Sequence, residues 1–518
     1  MANKSVFASM KGPLSPAGTA RNLAGAPAYT YSDGHALAQI AMTGTFGRTV
    51  YQDPMQELSR TLGLARKVDP SFLAKAAIYT RKQGHMKDMP ALLLAVLSAR
   101  DPILFRQVFG RVVDNGKMLR TFVQIMRSGQ AGRTSLGSAP KRMVANWLID
   151  APDRAILQAN VGNDPSLADV IKMVHPKPGN AAREALFAWI LSKPCDIALL
   201  PDNVQDFLRF KKTGKGRLPD APFQMLTQLD LSTMHWAQIA ETASWQMTRM
   251  NLNTFLRHGV LALPKMRRMI ADRLRDPDLI ARARVFPYQL MTAYQAMSAE
   301  MPEEIREALH EAMELSVRNV PKLQGQIVVA PDVSGSMAGP VTGYRKGATT
   351  ATRFVHVAGL VSASVLRRNP QATVLPFEVT VRDIRLEPRD TVLTNAARLA
   401  ALGGGGTNCA APLEWVLEKG RTPDLVIIVS DNQSWAHSKY GNRGTVMMQA
   451  WEKLKQRNPK ARLVCIDIAP YGTTQVKDRA DVLNIGGFSD TVFDQIAAFA
   501  GGEMGPDHWV GQIEAVEV

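Results

Sequence analysis

The stretch Val328–Gly339, VVAPDVSGSMAG, joins an apolar run to a cluster of oxygen-bearing side chains. The apolar run is short and rich in β-branched residues, which is typical of a buried strand. Asp332, Ser334 and Ser336 then occupy alternate positions. Carboxylate and hydroxyl oxygens are the ligands that hard divalent cations prefer. The stretch therefore predicts a strand that ends at a metal site.

Candidate strands and helices alternate along residues 323–518. The candidate strands are GQIVVA (325–330), ATVLPFE (372–378), RDIRLE (382–387), DLVIIVSDN (424–432), RLVCIDIA (462–469) and VLNIGG (482–487). Helical patterns separate most of them, for example TRFVHVAGLVSASVLRR (352–368) and TVLTNAARLAAL (391–402). This alternation predicts a doubly wound, Rossmann-like and largely parallel sheet.

Two further residues are expected to complete the metal site. Ligands of open α/β sheets bind beyond the carboxyl ends of the strands. Asp431 follows the strand-like LVIIV, and Thr407 follows the glycine-rich loop 403–406. Two carboxylates and three hydroxyls favour Mg²⁺ over zinc or copper, which prefer imidazole and thiolate ligands. Pro331 removes a backbone donor beside the site, so an altered, empty site is the alternative.

Helical patterns with short breakers fill residues 29–322. Asp101-Pro102, Asn115-Gly116, Asp164-Pro165 and Asp276-Pro277 are the clearest breakers. Helix pairs with a period near 40 residues favour a HEAT-like solenoid, and an irregular helical bundle is the alternative. The tryptophans of this part have apolar helical neighbours, so we expect them to pack in the core. They are Trp147, Trp189, Trp236 and Trp245.

The net charge of +16 lies almost entirely in the helical part. Residues 1–320 have a net charge of +14, whereas residues 321–518 have +2. This asymmetry favours a polyanionic partner such as nucleic acid, and an inert basic surface is the alternative. Residues 1–28 read as a flexible arm, with a transit peptide as the alternative. Three cysteines and no long apolar run predict a cytoplasmic, non-membrane protein, for which we expect a monomer.

The order Asp-x-Ser-x-Ser, threonine, strand-end aspartate resembles a von Willebrand factor A (vWA) domain with a metal-ion-dependent adhesion site (MIDAS). The resemblance implies that these residues hold a divalent ion, most commonly Mg²⁺, and that an acidic group of a partner protein completes its coordination. The implied ligands are Asp332, Ser334, Ser336, Thr407 and Asp431.

The helical part resembles the TROVE module of Ro ribonucleoprotein-binding proteins, and the chain as a whole resembles their bacterial type. The matching stretches are YTRKQGHMKDMPALL (79–93), GSAPKRMVANWL (137–148), PSLADVIKMVHPKP (165–178), LPDAPFQML (218–226) and MTRMNLNTFLRHGV (247–260). The resemblance implies a ring of HEAT-like repeats closed by the vWA domain. It also implies RNA quality control and stabilisation without catalysis. Noncoding Y RNA would bind the basic outer surface, single-stranded 3′ ends of misfolded RNA would enter the hole, and Y RNA could tether polynucleotide phosphorylase.

Basic clusters in the helical part are the candidate RNA contacts, because phosphate binding requires Lys and Arg on one face. They are Arg81, Lys82, His85 and Lys87; Arg127, Arg133, Lys141 and Arg142; Lys172, His175 and Lys177; and Lys211, Lys212, Lys215 and Arg217, with Arg209 beside the last group. His175 matches the family's RNA-contacting histidine, and a structural role is its alternative. The family's preceding basic pair aligns near Gln158 and Gly162 here, which is a departure from the family pattern.

Two other functions fit the same residues. A metal-dependent, protein-binding scaffold would use the solenoid and the metal site without RNA. A Mg²⁺-dependent ribonuclease would use Asp332 and Asp431, but one ion held mainly by hydroxyls disfavours it. A serine nucleophile with His356 or His437 as its base lacks the Gly-x-Ser-x-Gly elbow. Cys409 is expected to be a buried side chain rather than a reactive thiol.

Overall fold

The computed structural model describes most of the chain. The described residues are 16–23, 25–43, 53–216, 218–283, 285–341, 352–434, 445–469, 472–477, 479–487, 492–502 and 508–518. They divide into two compact units, each built from several segments. The α/β unit comprises residues 1–57, 275–296 and 307–509, and the helical unit comprises residues 58–274, 297–306 and 510–518. The units therefore interleave along the chain, whereas the domains predicted from the sequence follow one another.

Helices fill the chain from residue 54 to residue 319. They are α2 (Pro54–Lys67), α3 (Pro70–Lys82), α4 (Asp88–Arg100), α5 (Pro102–Val112), α6 (Gly116–Arg127), α7 (Ser138–Asp150), α8 (Asp153–Ala159), α9 (Leu167–Val174), α10 (Ala181–Ile190), α11 (Asp202–Thr213), α12 (Phe223–Leu226), α13 (Thr233–Thr242), α14 (Trp245–Met250), α15 (Leu252–Arg257), α16 (Pro264–Leu274), α17 (Pro277–Arg282), α18 (Pro287–Gln295) and α19 (Glu303–Ser316). Short 3₁₀ helices cover Ile197–Leu199, Val260–Ala262 and Val317–Asn319. The predicted helical part is confirmed.

Side chains at the predicted breakers start several of these helices. The Asp101 carboxylate accepts hydrogen bonds from the backbone N–H groups of Ile103 and Leu104. The Asn115 side chain accepts one from Met118, three residues later. These bonds satisfy N–H groups that have no partner inside a helix. The breakers therefore fix where α5 and α6 begin.

Three arginines repeat one long-range contact in the helical unit. Each guanidinium donates hydrogen bonds of 2.6–2.9 Å to two carbonyls at the C-terminal end of a helix 32–35 residues earlier. The three ties join Arg100 to Ala65 and Val68, Arg183 to Leu148 and Ala151, and Arg273 to Ala240 and Glu241. Because the last carbonyls of a helix lack partners inside it, the guanidinium satisfies both. This recurrence is a repeat signature that hydrophobic spacing did not reveal.

The closest approach between α6 and α8 requires a glycine. A Cβ at Gly116 would overlap the Cβ and the Cα of Ala159. We expect Gly116→Ala to lower the free energy of unfolding by about 3 kcal/mol, because the helices must move apart. Chemical denaturation measures this change.

The matched control is Gly110→Ala in α5, where a new Cβ has nothing within 4 Å. Removing a helical glycine there should raise stability by about 0.5 kcal/mol. Equal effects at both positions would show that close packing at Gly116 does not matter.

A five-stranded parallel sheet forms the core of the α/β unit, with the order β4-β3-β5-β6-β8. Its strands are β3 (Ile327–Pro331), β4 (Thr373–Val374), β5 (Leu425–Ser430), β6 (Arg462–Asp467) and β8 (Val482–Gly486). The other elements are a 3₁₀ helix (Gly335–Ala338), α20 (Phe354–Arg368), α21 (Val392–Ala400), α22 (Ala411–Glu418), α23 (Val446–Arg457), α24 (Val492–Gly501) and α25 (His508–Glu514). The predicted fold class, helical repeats with a parallel α/β domain, is confirmed.

The prediction of a strand at RDIRLE, residues 382–387, is wrong. Residues 382–387 lie outside every strand, and only Thr373–Val374 of the preceding candidate forms a strand, with Phe377 adding an isolated bridge to Asp332. Residues 382–387 are exposed or half-buried throughout, so they have no buried face to pack on a core.

Pro331 is accommodated at the end of the central strand β3. The N–H of Asp332 donates to Val429 O on β5 at 2.9 Å, so this ladder continues past the proline. The carbonyl of Val329 instead accepts from the N–H of Leu375, directly after β4, and the N–H of Val333 donates to the carbonyl of Phe377. Pro331 shares their orientation, so its missing N–H faces the short outer strand. The ladder that positions Asp332 is therefore uninterrupted.

The N-terminal segment contributes β-structure that the sequence did not predict. Strands β1 (Ala20–Arg21) and β2 (Pro27–Thr30) pair antiparallel, and β2 pairs with β7 (Thr473–Thr474). Helix α1 (Asp33–Thr43) then packs against β8. The predicted flexible arm, residues 1–28, is therefore wrong for residues 20–21 and 27–28, and residues 1–15 lie outside the described residues. Among the described helices, none combines the length and apolarity needed to cross a bilayer.

Candidate metal centre and nucleic-acid interface

The two predicted metal-site carboxylates lie at the carboxyl ends of adjacent central strands. Asp332 follows β3, and Asp431 follows β5. The parallel register pairs Pro331 with Val429, which brings both strand ends to the same edge of the sheet. Both carboxylates are fully buried. The prediction that they converge is therefore met by the strand register.

Hydrogen bonds fix the Asp332 carboxylate completely but leave one oxygen of Asp431 unpaired. The hydroxyl of Ser430 and the N–H of Ser334 donate to Asp332 at 2.6 and 2.8 Å. The N–H of Gln433 donates to Oδ1 of Asp431 at 3.3 Å. Among the described residues, Oδ2 of Asp431 is buried without a partner. A buried, unpaired carboxylate oxygen is costly unless a cation binds it.

The hydroxyl side chains lie on two loops that are bonded to each other. The N–H of Gly335 donates to Gly405 O at 3.0 Å, and the N–H of Gly404 donates to Val333 O at 3.1 Å. The hydroxyls of Ser334 and Ser336 are 3.3 Å apart, and Ser336 hydrogen-bonds Asp431. Thr407 is buried, and its carbonyl accepts from the Ser434 hydroxyl at 3.4 Å. The loops thus bring hydroxyl oxygens to the edge where the carboxylates lie.

Burial makes negative charge unfavourable at this edge. Burial, and then the charge of Asp431, raise the pKa of Asp332 to about 7. Burial also raises the pKa of Asp431. A divalent cation would relieve both penalties, and two carboxylates with hydroxyls suit a hard cation. No group of three or more His, Cys, Asp or Glu in the described ranges has metal-ligand geometry, so the hydroxyls are essential to the predicted set.

Glu378 is a neighbour of the site that the sequence analysis missed. A Cβ at Gly405 would overlap Oε2 of Glu378, so the glycine gives this carboxylate its space. Arg382 donates to the other oxygen, Oε1, at 2.7 Å. Its position in the sequence could have indicated it, because Glu378 stands at the end of the apolar candidate strand ATVLPFE, as Asp332 stands directly after the apolar run GQIVVAP.

The side chains considered for nucleophilic catalysis have other surroundings. Burial raises the pKa of Cys409 well above its usual range, which opposes formation of a thiolate. Nδ1 of His356 accepts a hydrogen bond from the N–H of Arg353 at 3.1 Å, at the start of α20. His437 lies outside the described residues.

Cations of the first basic cluster crowd around one carboxylate. Arg81 and Lys82 contact Asp114 at 2.8 and 3.2 Å. Lys87 lies beside Lys117, whose charge is the largest cause of the lowered pKa of Lys87. Lys117 was absent from the predicted set, and its position at the start of α6 hid its proximity to Lys87. The charges of Lys117 and Arg81 lower the pKa of Lys87 although Asp88 opposes them, and this excess of positive charge favours a bound anion.

The remaining candidate cations are exposed in the helical unit. Hydrogen bonds from Ser166 are the main cause of the lowered pKa of Asp169, and the charges of Lys172 and Arg127 lower it further, so members of two predicted clusters act on this residue. His175 is exposed and ends α9 in the left-handed conformation, with φ of 50°. Exposed positions are also occupied by His85, Lys87, Arg133, Lys141, Arg142, Lys177, Lys211, Lys212 and Lys215. Arg209 pairs with Asp206 at 3.2 Å, and Arg217 lies outside the described residues.

Steric crowding explains why a glycine stands at position 162, where the family pattern has a basic residue. Gly162 has a φ of 106°, and a Cβ there would lie 2.6 Å from Nη1 of Arg120. Arg120 donates to the carbonyls of Val161 and Pro165 in the same loop. A basic side chain at position 162 would therefore collide with one that the loop already holds.

Comparisons with known proteins find similarity to Ro60 proteins over different lengths of the chain. Residues 326–500 match the Ro60 vWA domain family. A protein named RNA-binding protein RO60 from Deinococcus radiodurans is 26% identical over 93% of this chain and 96% of its own length. One with the same name from Caenorhabditis elegans is 24% identical over 45% of this chain and 37% of its own length. Both are named for RNA binding rather than for catalysis, which agrees with the prediction of a non-enzyme.

A solved structure supports the fold independently. The crystal structure of the Deinococcus radiodurans RO (RSR) protein aligns with a TM-score of 0.64 and 21% identity. It covers 91% of this chain and all of the other. The resemblance inferred from the sequence motifs is thus confirmed: residues 326–500 match the Ro60 vWA domain family, and nearly the full chain is similar to Ro proteins.

Proposed function

We propose that this chain binds RNA through the cations of its helical unit. The observation that supports the proposal most is the contact of Lys87 with Lys117 beside Arg81. The positive charges of these side chains repel one another, and a bound anion would relieve that repulsion. Phosphates are the anions that such clusters bind most strongly when Lys and Arg share one face. The names of the two relatives support RNA as the polyanion.

The proposed RNA ligands follow from the resemblance to Ro proteins. A Y-type noncoding RNA would bind the basic outer surface, and unpaired 3′ ends of misfolded RNA would enter a central hole. The protein would act in RNA quality control and stabilisation, as a cytoplasmic monomer. Polynucleotide phosphorylase could be tethered through the Y RNA rather than through a direct contact.

The metal site would have a structural or adhesive role. Asp332, Ser334, Ser336, Thr407 and Asp431 would hold Mg²⁺, directly or through water. The unpaired oxygen of Asp431 supports this assignment. When bound, the ion would offer a coordination position to an acidic group of a partner protein.

The pair Lys172 and His175 tests the RNA proposal. We expect Lys172→Ala with His175→Ala to weaken binding of a structured RNA with a free 3′ tail about tenfold. The slope of log affinity against log salt should also flatten by about one, because phosphate contacts are lost. Fluorescence anisotropy at several salt concentrations measures both quantities.

The control is Lys453→Ala with Lys460→Ala, which removes two exposed cations from α23 and the turn after it. That variant should bind RNA like the parent protein. An unchanged slope in the Lys172/His175 variant would remove this pair from the interface. Absence of RNA binding by the parent protein would favour a protein-binding scaffold instead.

A further inference from the structure

A cavity beside α12 combines aromatic walls with unpaired polar groups. Its volume is about 380 Å³, and it is formed within the helical unit. Its lining includes Phe223, Asp230, Trp236, Arg257 and His258. Its lining contains none of the residues of the predicted basic clusters or of the metal site.

The aromatic wall consists of three rings in contact, two of them stacked. The rings of Trp236 and His258 are parallel within 12°, with centroids 4.1 Å apart. Phe223 meets Trp236 edge-on, with centroids 6.0 Å apart. Trp236 is buried as the sequence predicted, while Phe223 and His258 remain half-exposed. Burial, and then the charge of Arg257, lower the pKa of His258, so an uncharged ring lines the cavity near neutral pH.

Two opposite charges line the cavity without neutralising each other. Asp230 and Arg257 are both exposed, and among the described residues neither has a hydrogen-bond or ion-pair partner. A ligand that satisfies both must present hydrogen-bond donors to the carboxylate and an anion to the guanidinium. An aromatic wall adds a preference for a flat ring. A nucleotide has all three features.

The surface continues from this cavity into a larger cleft. A cleft of about 1180 Å³ shares Phe223 with the cavity and is also lined by Arg154, Arg209 and Lys215. Arg154 contacts Asp220 only at 3.9 Å, with both side chains mostly exposed. The acids Asp206, Asp220 and Glu241 line the same cleft, and Arg209 pairs with Asp206 at 3.2 Å. Among the described residues, Lys215 is thus the cleft cation without an ion-pair partner. A cation outside the cavity can reach a neighbouring phosphate, which favours a polymer over a free nucleotide.

We propose that this cavity binds an unpaired nucleotide of RNA whose base carries an exocyclic amino group. The base lies against the ring wall of Phe223 and His258, its amino group donates to Asp230, and Arg257 contacts a neighbouring phosphate. Carboxylates accept from the amino group of cytosine but find no such donor on uracil, so the site prefers cytidine over uridine. This inference rests on the proposed RNA-binding function.

Matched pyrimidine oligomers test the preference. We expect single-stranded C8 to bind the full-length protein about tenfold more tightly than U8. Asp230→Asn should abolish this difference, because an amide can donate to the uracil carbonyl as well as accept from cytosine. Arg257→Gln should weaken both oligomers equally and flatten the salt slope by about one. The control Asp202→Asn changes an exposed carboxylate in α11, outside the cavity, and should change neither property.

The outcomes separate this inference from the proposed function. If structured RNA binds but C8 and U8 bind equally, or if Asp230→Asn leaves a preference intact, the cavity assignment is overturned while RNA binding stands. Binding of free cytidine monophosphate as tight as that of C8 would identify a small-nucleotide site and would also overturn it. If no RNA binds, the proposed function fails first.

Discussion

Replacing Asp332 with alanine should abolish binding of a divalent ion while leaving RNA affinity unchanged within about twofold. Asp332 is fully buried at the end of β3 and is held by Ser430 and Ser334. Removing one of two carboxylates removes half of the anionic charge available to the ion. The proposed RNA contacts, by comparison, lie in the helical unit. Calorimetric titration with Mn²⁺, which substitutes for Mg²⁺, and anisotropy with labelled RNA measure the two effects.

The matched control for this experiment is Asp383→Ala, which removes an exposed carboxylate from the same unit. It should bind the ion like the parent protein. Retained stoichiometric ion binding in Asp332→Ala would place the metal elsewhere. An equal loss of RNA binding would show that the two sites are coupled.

The metal-free protein should become less stable as the pH rises from about 4 to about 7. The pKa of Asp332 is near 3.8 when unfolded and is raised to about 7 by burial and by Asp431 when folded. Below pH 3.8 the carboxyl is protonated in both states, so its burial carries no charge penalty. As the pH rises, Asp332 ionises first in the unfolded chain, whereas the folded protein keeps Asp332 protonated up to about pH 7. Folding then requires uptake of a proton, so the free energy of unfolding falls. The expected loss is about 4 kcal/mol, complete once the pH exceeds the folded pKa.

Asp332→Asn should remove the part of this pH dependence that comes from position 332, because the amide stays neutral, while the buried Asp431 keeps a smaller dependence of the same sign. Added Mg²⁺ should restore stability at pH 7, because the proposed ion would bind the folded, ionised site and not the unfolded chain. Urea denaturation at fixed ionic strength, with and without EDTA, measures both effects, and Asp383→Asn serves as the control. A metal-free stability that is constant between pH 4 and 7 would contradict the strong burial of an ionisable Asp332.

The sequence predicted those parts of the molecule that depend on local patterns. Asp332 and Asp431 were predictable because parallel strands end at a common edge, and the helix starts after Asp101 and Asn115 follow from local capping. The carboxylate of Glu378 obeys the same strand-end rule, but its short strand β4 concealed it. These features need only the spacing of neighbouring residues.

Other features depend on partners that are distant in the chain. Strand β2 forms because Thr473 and Thr474 lie beside it, which no local pattern near residue 27 can indicate. Lys87 and Lys117 meet because α4 packs against α6, although 30 residues separate them. The ring wall of Trp236 and His258 likewise requires two helices to be placed together. In each case the sequence shows which side chains are present, but it does not show which distant residues lie next to them in the fold.

The arginine ties have a consequence for how the helical unit opens. Arg100, for example, holds the last carbonyls of α2 from the end of α4, so neither helix end can fray without breaking bonds of the other. Amide protons near these ends are consequently expected to exchange with solvent in concert, as members of one foldon. The unit of local opening is then a pair of helices that are not consecutive in the chain: α2 with α4, α7 with α10, and α13 with α16.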